Sequence, residues 1–174
     1  MKTSSSGIAM IAYFEQYHDG DLSKIGLQPK MCPSGIWTVG LGHALINKNT
    51  GKWLKGKGDY PLIAVQYPEY LTMTKQQADE LLRKDLVSYE VKVTKGLKVP
   101  VTQYQFDALV SFCYNCGWSD MLFRMINHKE QTEKIVQWWQ AHYITGDGKV
   151  LKGLIWRRSV EAELYRTGIY KITN

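Results

Sequence analysis

The sequence of 174 residues is poor in cysteine and contains no long apolar run. Because a membrane-spanning helix needs about 18 consecutive apolar residues, none is predicted here. Three cysteines are too few for a disulfide framework and leave at least one thiol unpaired. The chain also lacks internal repeats and low-complexity tracts, and its length suits one well-packed domain or two small lobes that share a helix.

No group of residues has the spacing of a metal or nucleotide site. Cys113 and Cys116 are spaced like half of a zinc or redox motif, but no second Cys or His pair accompanies them. They lie in a helical pattern, which indicates buried core cysteines. The stretch Gly40-Leu41-Gly42 lacks the third glycine of a phosphate-binding loop. We therefore predict no metal and no cofactor, and we find no Ser-His-Asp arrangement.

Acidic residues are the scarcer of the two charge types. Lysine and arginine outnumber aspartate and glutamate by 22 to 16, which gives a formal charge of +6. From Lys149 to Lys171 six basic residues stand against two acidic ones. Such a surface suits a polyanion such as nucleic acid, an anionic membrane or an acidic cell wall, although a solvated basic face has the same composition. Since no DNA-reading motif is present, nucleic acid is not the expected partner.

The most informative segment lies near the N-terminus. Residues Ile8 to Phe14 form an amphipathic helical stretch that ends at Glu15. After a polar, turn-rich stretch, the turn residues that follow Cys32 and the alternation up to Val39 predict a β-hairpin. A carboxylic acid at a helix end, facing a polar hairpin, suits acid catalysis on a bound polymer. Taken alone, a glutamate in this position is more often a solvated or capping residue.

Two further blocks extend this pattern from about Ile8 to Gly168. The three blocks, in chain order, are Phe14-Glu15 with Cys32-Pro33-Ser34-Gly35-Ile36-Trp37-Thr38-Val39-Gly40-Leu41-Gly42-His43; Thr102 to Phe112 with Asn115 and Gly117; and Gly153-Leu154-Ile155-Trp156-Arg157-Arg158 with Glu161, Leu164, Thr167 and Gly168. Together they resemble the active-site segment, the central core helix and the C-terminal signature of the phage-type lysozymes, the endolysins of glycoside hydrolase family 24.

The resemblance implies an α+β, lysozyme-like fold, in which a small hairpin-containing N-terminal lobe and a mostly helical C-terminal lobe are joined by a long helix. We expect a single domain over residues 1–174. The N-terminal lobe is expected at about 14–73, the linking helix at about 74–96, and the C-terminal lobe at about 97–174, with the first helix packed on it. In lysozyme-like folds the substrate cleft lies between such lobes.

Local signals predict the elements within this frame. The first helix is expected from about Ser6 to Tyr17, and capping boxes at Thr74 and Thr102 predict the starts of two further helices. Phe106 and Phe112 are assigned to the core. Later helices are predicted at about 119–127, 131–142 and 154–166, with a turn at 146–148. The segment 60–70 contains two prolines and is expected to be irregular.

Glycoside hydrolysis needs a proton donor and a second group that attacks or stabilises the sugar carbon. The resemblance assigns the general-acid role to Glu15, and its neighbours Phe14 and Tyr17 offer the apolar setting in which a carboxyl group retains its proton. Many family members have aspartate six residues before the equivalent of Thr38, whereas this chain, like some other members, has Cys32 there. Cys32 is then either a thiolate nucleophile or base, or a bystander, because a free thiol titrates near pH 8.5.

A second departure is the separation of 17 residues between Glu15 and Cys32, which is longer than is usual in the family. The inserted segment carries Asp19 and Asp21, which offer a substitute carboxylate, although Asp-Gly-Asp is also typical of a solvated turn. Thr38 is expected to reach the attacking water through its hydroxyl group. A β-branched residue at this position equally suits a strand.

His43 and Arg157 are the residues expected to contact the substrate. Within the family pattern, His43 is expected to hold the hairpin and the cleft floor together more than to act in the chemistry, and Arg157 is expected to pair with Glu15 or with a carboxylate of the wall. Arg158 is expected to be exposed or to pair between helices. Three tryptophans on predicted helices can stack on sugar rings, but such residues mostly belong to a core. They are Trp138, Trp139 and Trp156.

The predicted function is that of a lysozyme that cleaves the β-1,4 bond between N-acetylmuramic acid and N-acetylglucosamine of bacterial peptidoglycan. Its setting is phage or prophage lysis, or wall degradation by an interbacterial effector. The alternative is a catalytically weak peptidoglycan-binding protein, which the missing aspartate motivates. We expect a monomer that neither binds nucleic acid nor inserts stably into a membrane. Residues Met1 to Gly7 do not form a convincing signal peptide, so we expect synthesis in the host cytoplasm and action on the cell wall in the periplasm by another export route.

Overall fold

The computed structural model describes residues 1–146 and 148–171, and the chain divides into two compact units. One unit consists of Met1–Phe14 and Leu86–Asn174, and the other of Glu15–Asp85. The described residues contain seven α-helices and five short strands. They are α1 (Ser5–Glu15), β1 (Lys30–Met31), β2 (Trp37–Val39), β3 (His43–Ala44), α2 (Tyr60–Gln66), α3 (Lys75–Gly96), α4 (Gln103–Cys116), α5 (Asp120–Asn127), α6 (Thr132–Ala141), β4 (Thr145–Gly146), β5 (Lys149–Val150) and α7 (Lys152–Thr167).

The unit formed by Glu15–Asp85 contains a three-stranded antiparallel sheet in the order β1-β2-β3. Thr38, on the central strand, is opposite Lys30 of β1 and Ala44 of β3. The predicted hairpin is confirmed as β1 and β2, and the chain then adds β3 through Gly40-Leu41-Gly42. Gly40 has φ 59°, which favours glycine, and a Cβ atom there would lie 3.2 Å from the Cβ of Ala78. The turn therefore needs glycine both for its backbone and for the close approach of α3.

A compact apolar core supports this sheet. Its buried side chains come from β2, from α2, from the first turns of α3 and from the segments that connect these elements. They are Leu27, Val39, Leu45, Leu54, Ile63, Tyr67, Met73, Ala78 and Leu81. Trp37 is partly buried against the same cluster, and its indole N–H donates to the carbonyl of Gly56 at 2.7 Å. This core fixes the face of β2 opposite to the one that carries Thr38, because side chains alternate along a strand.

The segment 60–70, expected to be irregular, is helical, and that prediction was wrong. Helix α2 spans Tyr60–Gln66, and a single 3₁₀ turn follows at Pro68–Tyr70. Pro61 and Pro68 both stand within the first two positions of their helices. A proline there is compatible with a helix, because its missing N–H would have had no intrahelical partner.

Both predicted capping boxes are present. At the start of α3, Gln77 N donates to Thr74 Oγ1 at 3.1 Å and the Gln77 side chain accepts from Thr74 N at 2.8 Å. Thr102 and Gln105 form the same pair at the start of α4. These reciprocal bonds satisfy donors that the first turn of a helix leaves unpaired, which explains why the sequence placed both boundaries correctly.

The helical unit packs around α4, as predicted. Every residue of α4 from Phe106 to Cys113 is buried, and the ring of Phe112 lies edge-on to Trp139 at 5.4 Å. Phe106 and Phe112 belong to the core, and Cys113 is a buried core cysteine. Of the predicted turn at 146–148, Asp147 lies outside the described residues. Among the helices that the structure describes, none is long and apolar enough to cross a membrane.

A buried ionic cluster joins α4 and α7 within this unit. Glu161 accepts from Ser111 Oγ at 2.7 Å and pairs with Arg157 at 3.1 Å and with Arg158 at 2.8 Å. Glu161 and Arg158 are fully buried, and Arg158 also contacts the sulfur of Cys116 on α4. Arg158 is therefore a partner between helices, and the alternative that it is exposed was wrong. Its charge is balanced inside the unit, which a buried guanidinium requires.

The start of α1 is anchored by Asp107 of α4, which is fully buried. Its carboxylate accepts from Ser4 N at 3.0 Å, from Gln103 Nε2 at 2.8 Å and from the hydroxyl of Tyr170 at 2.6 Å. Gly7 permits the close approach, since a Cβ atom there would lie 2.6 Å from the Asp107 Cγ. A negative charge at a helix N-terminus is favourable because four backbone N–H groups point outward there.

Candidate active site

Glu15 is the last residue of α1, and the backbone leaves the helical conformation at the next residue. Gln16 has φ 55°, in the left-handed region where helices commonly end. Two residues later, the backbone N–H of His18 donates to the carbonyl of Gly40 at 2.7 Å. The turn after Glu15 is thus bonded to the end of β2.

The hydroxyl of Thr38 is held by two hydrogen bonds. The Oγ1 atom donates to the carbonyl of Lys30 on β1 at 2.8 Å, and it lies 2.6 Å from the Nδ1 atom of His18. Thr38 is only 5% exposed, so its hydrogen bonds are largely shielded from bulk water. The structure therefore brings Thr38 together with the turn that follows Glu15. Thr38 is a residue of strand β2, and the role of its hydroxyl toward an attacking water stays a prediction.

His18 is the residue of this site that sequence reasoning missed. Burial lowers the pKa of His18 below 6.5, the negative charge of Glu15 opposes that shift, and the positive charge of Lys30 adds to it. The available signal was a histidine three residues after the proposed acid. It lay in a stretch that looked like a polar turn, and nothing in its spacing pointed to Thr38, which is 20 residues further along the chain.

Cys32 lies in the turn between β1 and β2. Its backbone N–H donates to the carbonyl of Ile36, and its sulfur is 2.9 Å from the hydroxyl of Ser34. Burial by itself raises the pKa of the Cys32 thiol, but hydrogen bonds from Ser34 and from nearby backbone groups outweigh it, and the net pKa lies below 9.0. By contrast, burial raises the pKa of Cys113 to about 12 and also raises that of Cys116. The turn therefore favours the thiolate at Cys32 alone among the three cysteines.

Asp19 and Asp21 stabilise the loop that carries them. Asp19 Oδ1 accepts from the backbone N–H groups of Asp21 at 3.1 Å and Gln28 at 3.3 Å. Asp21 accepts from Ser23 and forms an ion pair with Lys24 at 3.0 Å. These bonds support the view of Asp-Gly-Asp as a turn, in which the carboxylates bond to nearby backbone groups.

His43 and Arg157 each have partners within their own unit. His43 Nδ1 lies 2.9 Å from both carboxylate oxygens of Asp85, and its ring packs edge-on to Tyr70. Arg157 is 4% exposed, donates to Glu161, and lies with its guanidinium 5.0 Å from the ring centre of Phe14. The substrate-binding roles of both residues stay predictions.

The three tryptophans differ in exposure. Trp139 is fully buried in the helical core, as expected for a tryptophan at a helical position. Trp138 is partly exposed and stacks on the ring of His142 at 4.2 Å, and Trp156 is also partly exposed. Within the residues described, no group of three or more histidine, cysteine, aspartate or glutamate side chains is placed to hold a metal ion.

Comparison with known proteins decides the family. The model of the phage lysozyme family matches residues 23–161, which is most of the chain. The chain belongs to the phage lysozyme family. Cys32, Thr38, His43 and Arg157 lie inside the matched residues, whereas Glu15 and His18 precede them.

Individual relatives agree with this assignment. The endolysin of Bacillus phage B103 is 38% identical over 175 residues, covering 97% of this chain and 55% of that protein. The chain therefore spans about half the length of this relative, and 39% of the endolysin of Bacillus phage PZA.

Two solved structures share the fold over nearly the whole chain. The endolysin from Escherichia coli O157:H7 phage FAHEc1 has a TM-score of 0.70 and 30% identity, covering 98% of this chain and 97% of that one. The muramidase domain of SpmX from Asticaccaulis excentricus has a TM-score of 0.68 and 29% identity, covering 95% and 98%. The lysozyme-like α+β fold and the lysozyme class of glycoside hydrolase, both predicted from the sequence, are confirmed at the level of the family. The alternative of a wall-binding protein with weak catalysis is not favoured.

Proposed function

We propose that this phage lysozyme hydrolyses bacterial peptidoglycan at the β-1,4 bond between N-acetylmuramic acid and N-acetylglucosamine. The observation that carries the proposal is the position of Glu15 at the end of α1, followed by a turn that hydrogen-bonds to β2 through Gly40 and Thr38. A carboxyl group next to a fixed polar strand suits the transfer of a proton to a glycosidic oxygen.

In this mechanism Glu15 is the general acid, which protonates the oxygen of the departing sugar. Cys32 and Thr38 act on the opposite side of the sugar carbon, where either a nucleophile or an activated water must approach. The lowered pKa of Cys32 supports a thiolate in that role, because the thiolate is the nucleophilic form of cysteine. Thr38 orients the water through its hydroxyl group.

The remaining predicted site residues support binding. His43 holds β3 against the middle of α3 through Asp85, and Arg157 presents its guanidinium beside Phe14. We propose that the substrate is the sole macromolecular partner, that the protein is a monomer forming one lysozyme-like domain, and that it binds neither nucleic acid nor a membrane stably. It is made in the bacterial host cytoplasm and acts on the cell wall in the periplasm, during phage lysis or as a wall-degrading effector.

The first test compares the wild-type protein with Glu15→Gln on purified Gram-negative peptidoglycan. The readouts are loss of turbidity, appearance of reducing ends, and mass spectrometry of the released fragments after borohydride reduction. Reduced N-acetylmuramic acid at the new ends is the expected product of the wild type. Glu15→Gln should lower the rate at least about a hundredfold, because general acid catalysis contributes on that order or more. Glu80→Gln, an exposed glutamate of α3 in the same unit, is the matched control and should retain full activity.

Any other result of this experiment shows which part of the proposed function is wrong: the bond, the acid or the activity itself. Reduced N-acetylglucosamine at the new ends would place the cleavage at the other glycosidic bond. Equal rates for wild type and Glu15→Gln would mean that the acid is a different residue. Binding of both folded proteins to the wall without release of ends would favour the catalytically weak alternative and make Cys32 a sign of lost catalysis.

A further inference from the structure

The side chain of His18 lies within hydrogen-bonding distance of Thr38. The Nδ1···Oγ1 distance is 2.6 Å, and the backbone N–H of the same residue donates to Gly40 O at 2.7 Å. His18 therefore joins β2 by two hydrogen bonds, one from its backbone and one from its side chain. It stands three residues after Glu15, so these bonds also limit how far the acid can move.

The direction of the His18–Thr38 bond follows from the second bond of Thr38. A threonine hydroxyl has one hydrogen to donate and two lone pairs. Since Thr38 Oγ1 donates its hydrogen to the Lys30 carbonyl at 2.8 Å, it must accept from His18. His18 therefore carries its hydrogen on Nδ1, and in the neutral ring Nε2 keeps its lone pair.

These two bonds leave the Thr38 oxygen with one free lone pair. A water that donates to this lone pair is held in a fixed orientation, with its own lone pairs directed away from the strand. Without the N–H of His18, both lone pairs of the Thr38 hydroxyl are free to accept. The water can then donate to either of them, so it no longer has a single orientation. Orientation of this kind contributes to catalysis because the reacting atoms are placed before the reaction begins.

We propose that His18 is a positioning residue of this active site, which fixes the Thr38 hydroxyl through its Nδ1–H group and ties the turn after Glu15 to β2. The inference rests on the proposed function, in which Glu15 is the acid and Thr38 orients the water. His18 does not itself take a proton from the water in this scheme. An imidazole that acts as a base through Nε2 is the competing role, and the two roles predict different variants to be active.

The experiment compares one substitution that keeps a donor at the position of Nδ1 with one that removes the whole ring. The amide nitrogen of asparagine lies near the position of Nδ1, so His18→Asn keeps a donor to Thr38 but removes any titrating base. His18→Ala removes both. We expect His18→Ala to lower kcat roughly tenfold with little change in KM, since one hydrogen bond of ordinary net strength is lost. His18→Asn should recover most of that loss, and His128→Ala, an exposed histidine of the helical unit, should have no effect.

A double-mutant cycle tests whether His18 acts through Thr38. In the Thr38→Val background there is no hydroxyl to position, so adding His18→Ala should lower kcat by less than about twofold. Additive losses, or an inactive but folded His18→Asn, would overturn the proposal and point to His18 as a base.

A spectroscopic measurement separates this proposal from the proposed function. The nitrogen-15 chemical shifts of the His18 ring report which nitrogen carries the hydrogen, and they need no substrate. Hydrogen on Nδ1 in wild type, with a change of the ring signals in Thr38→Val, is the expected result. Hydrogen on Nε2 at neutral pH would overturn the positioning role even if the enzyme is active. A failure of Glu15→Gln to lose activity would instead contradict the assignment of the acid and leave the ring signals unchanged.

Discussion

The Nδ1 atom of His43 lies 2.9 Å from both carboxylate oxygens of Asp85. This contact joins β3 to α3 across 42 residues of sequence, and both side chains are about three-quarters buried. A hydrogen bond to a carboxylate in such a setting competes less with water than an exposed one does, so it contributes measurably to the stability of the strand–helix packing.

We expect Asp85→Ala and His43→Ala to destabilise the protein by similar amounts, about 1 kcal/mol each, because both remove the same hydrogen bond to a carboxylate. Urea unfolding monitored by circular dichroism measures the loss, with Glu80→Gln as the control. The same variants test the substrate-binding role of His43. If His43 contacts peptidoglycan, KM rises in His43→Ala and not in Asp85→Ala, whereas equal KM values leave it a structural residue.

Cys32 should be the cysteine that alkylating reagents modify near pH 8. Hydrogen bonds from Ser34 and the turn backbone lower its pKa below 9.0, while Cys113 has a pKa of about 12 and the pKa of Cys116 is raised. Iodoacetamide rates measured across pH, with peptide mapping by mass spectrometry, give the midpoint for each thiol. Removing the hydroxyl in Ser34→Ala should move the Cys32 midpoint upward.

The same reaction tests the chemical role of Cys32. If its thiolate takes part, alkylation abolishes hydrolysis and bound oligosaccharide protects against it. Cys116→Ala is the control and should be alkylated and inactivated like the wild type. Full activity in Cys32→Ala would make Cys32 a bystander and redirect attention to Asp19 and Asp21, despite the loop bonds that occupy them.

The stability of the protein should fall as the pH is lowered through the range just below 6.5, and His18 should contribute to that fall. Burial lowers the pKa of His18 in the folded state, so below pH 6.5 the unfolded chain binds the proton more readily. The free energy of unfolding therefore decreases as the pH falls from 6.5 toward the folded-state pKa. Above pH 6.5 His18 adds no pH dependence to the stability. His18→Asn should flatten this part of the pH dependence of unfolding by urea, while His128→Asn should not.

Asp107 should be important for stability although it lies outside the active site. Asp107→Ala removes the acceptor of the backbone N–H and hydroxyl of Ser4, of the Gln103 side chain and of the Tyr170 hydroxyl, so we expect a loss of about 3 kcal/mol in the free energy of unfolding. Thermal and urea unfolding measure it, with the exposed Glu80→Gln as control. Gly7→Ala should also destabilise, because its Cβ would lie 2.6 Å from Asp107 Cγ. A wild-type midpoint in either variant would contradict this account of the α1 anchor.

Much of the secondary structure could be read from local signals. The capping boxes at Thr74 and Thr102 act within four residues, and the Pro-Ser-Gly turn after Cys32 needs only its own backbone, so both features were predicted correctly. The segment 60–70 was not, because the effect of a proline depends on whether it falls at the first turn of a helix or inside one. Arg158 was uncertain for a similar reason, since its burial depends on Glu161 and Cys116 being in contact after the helices pack.

In the candidate site, too, the sequence revealed the features that depend on residue type and order, and the structure revealed the contacts between distant residues. Sequence alone supplied the family resemblance, the proposed acid Glu15 and the presence of Cys32 in place of aspartate, because these are properties of residue type and order. Only the tertiary structure joined His18 to Thr38, His43 to Asp85 and Asp107 to the start of α1, contacts that span 20, 42 and 103 residues. Hydrogen bonds between distant residues leave no period or spacing in a single sequence. Their partners are chosen when the hydrophobic cores assemble, and so the structure, not the order of residues, decided which polar groups meet.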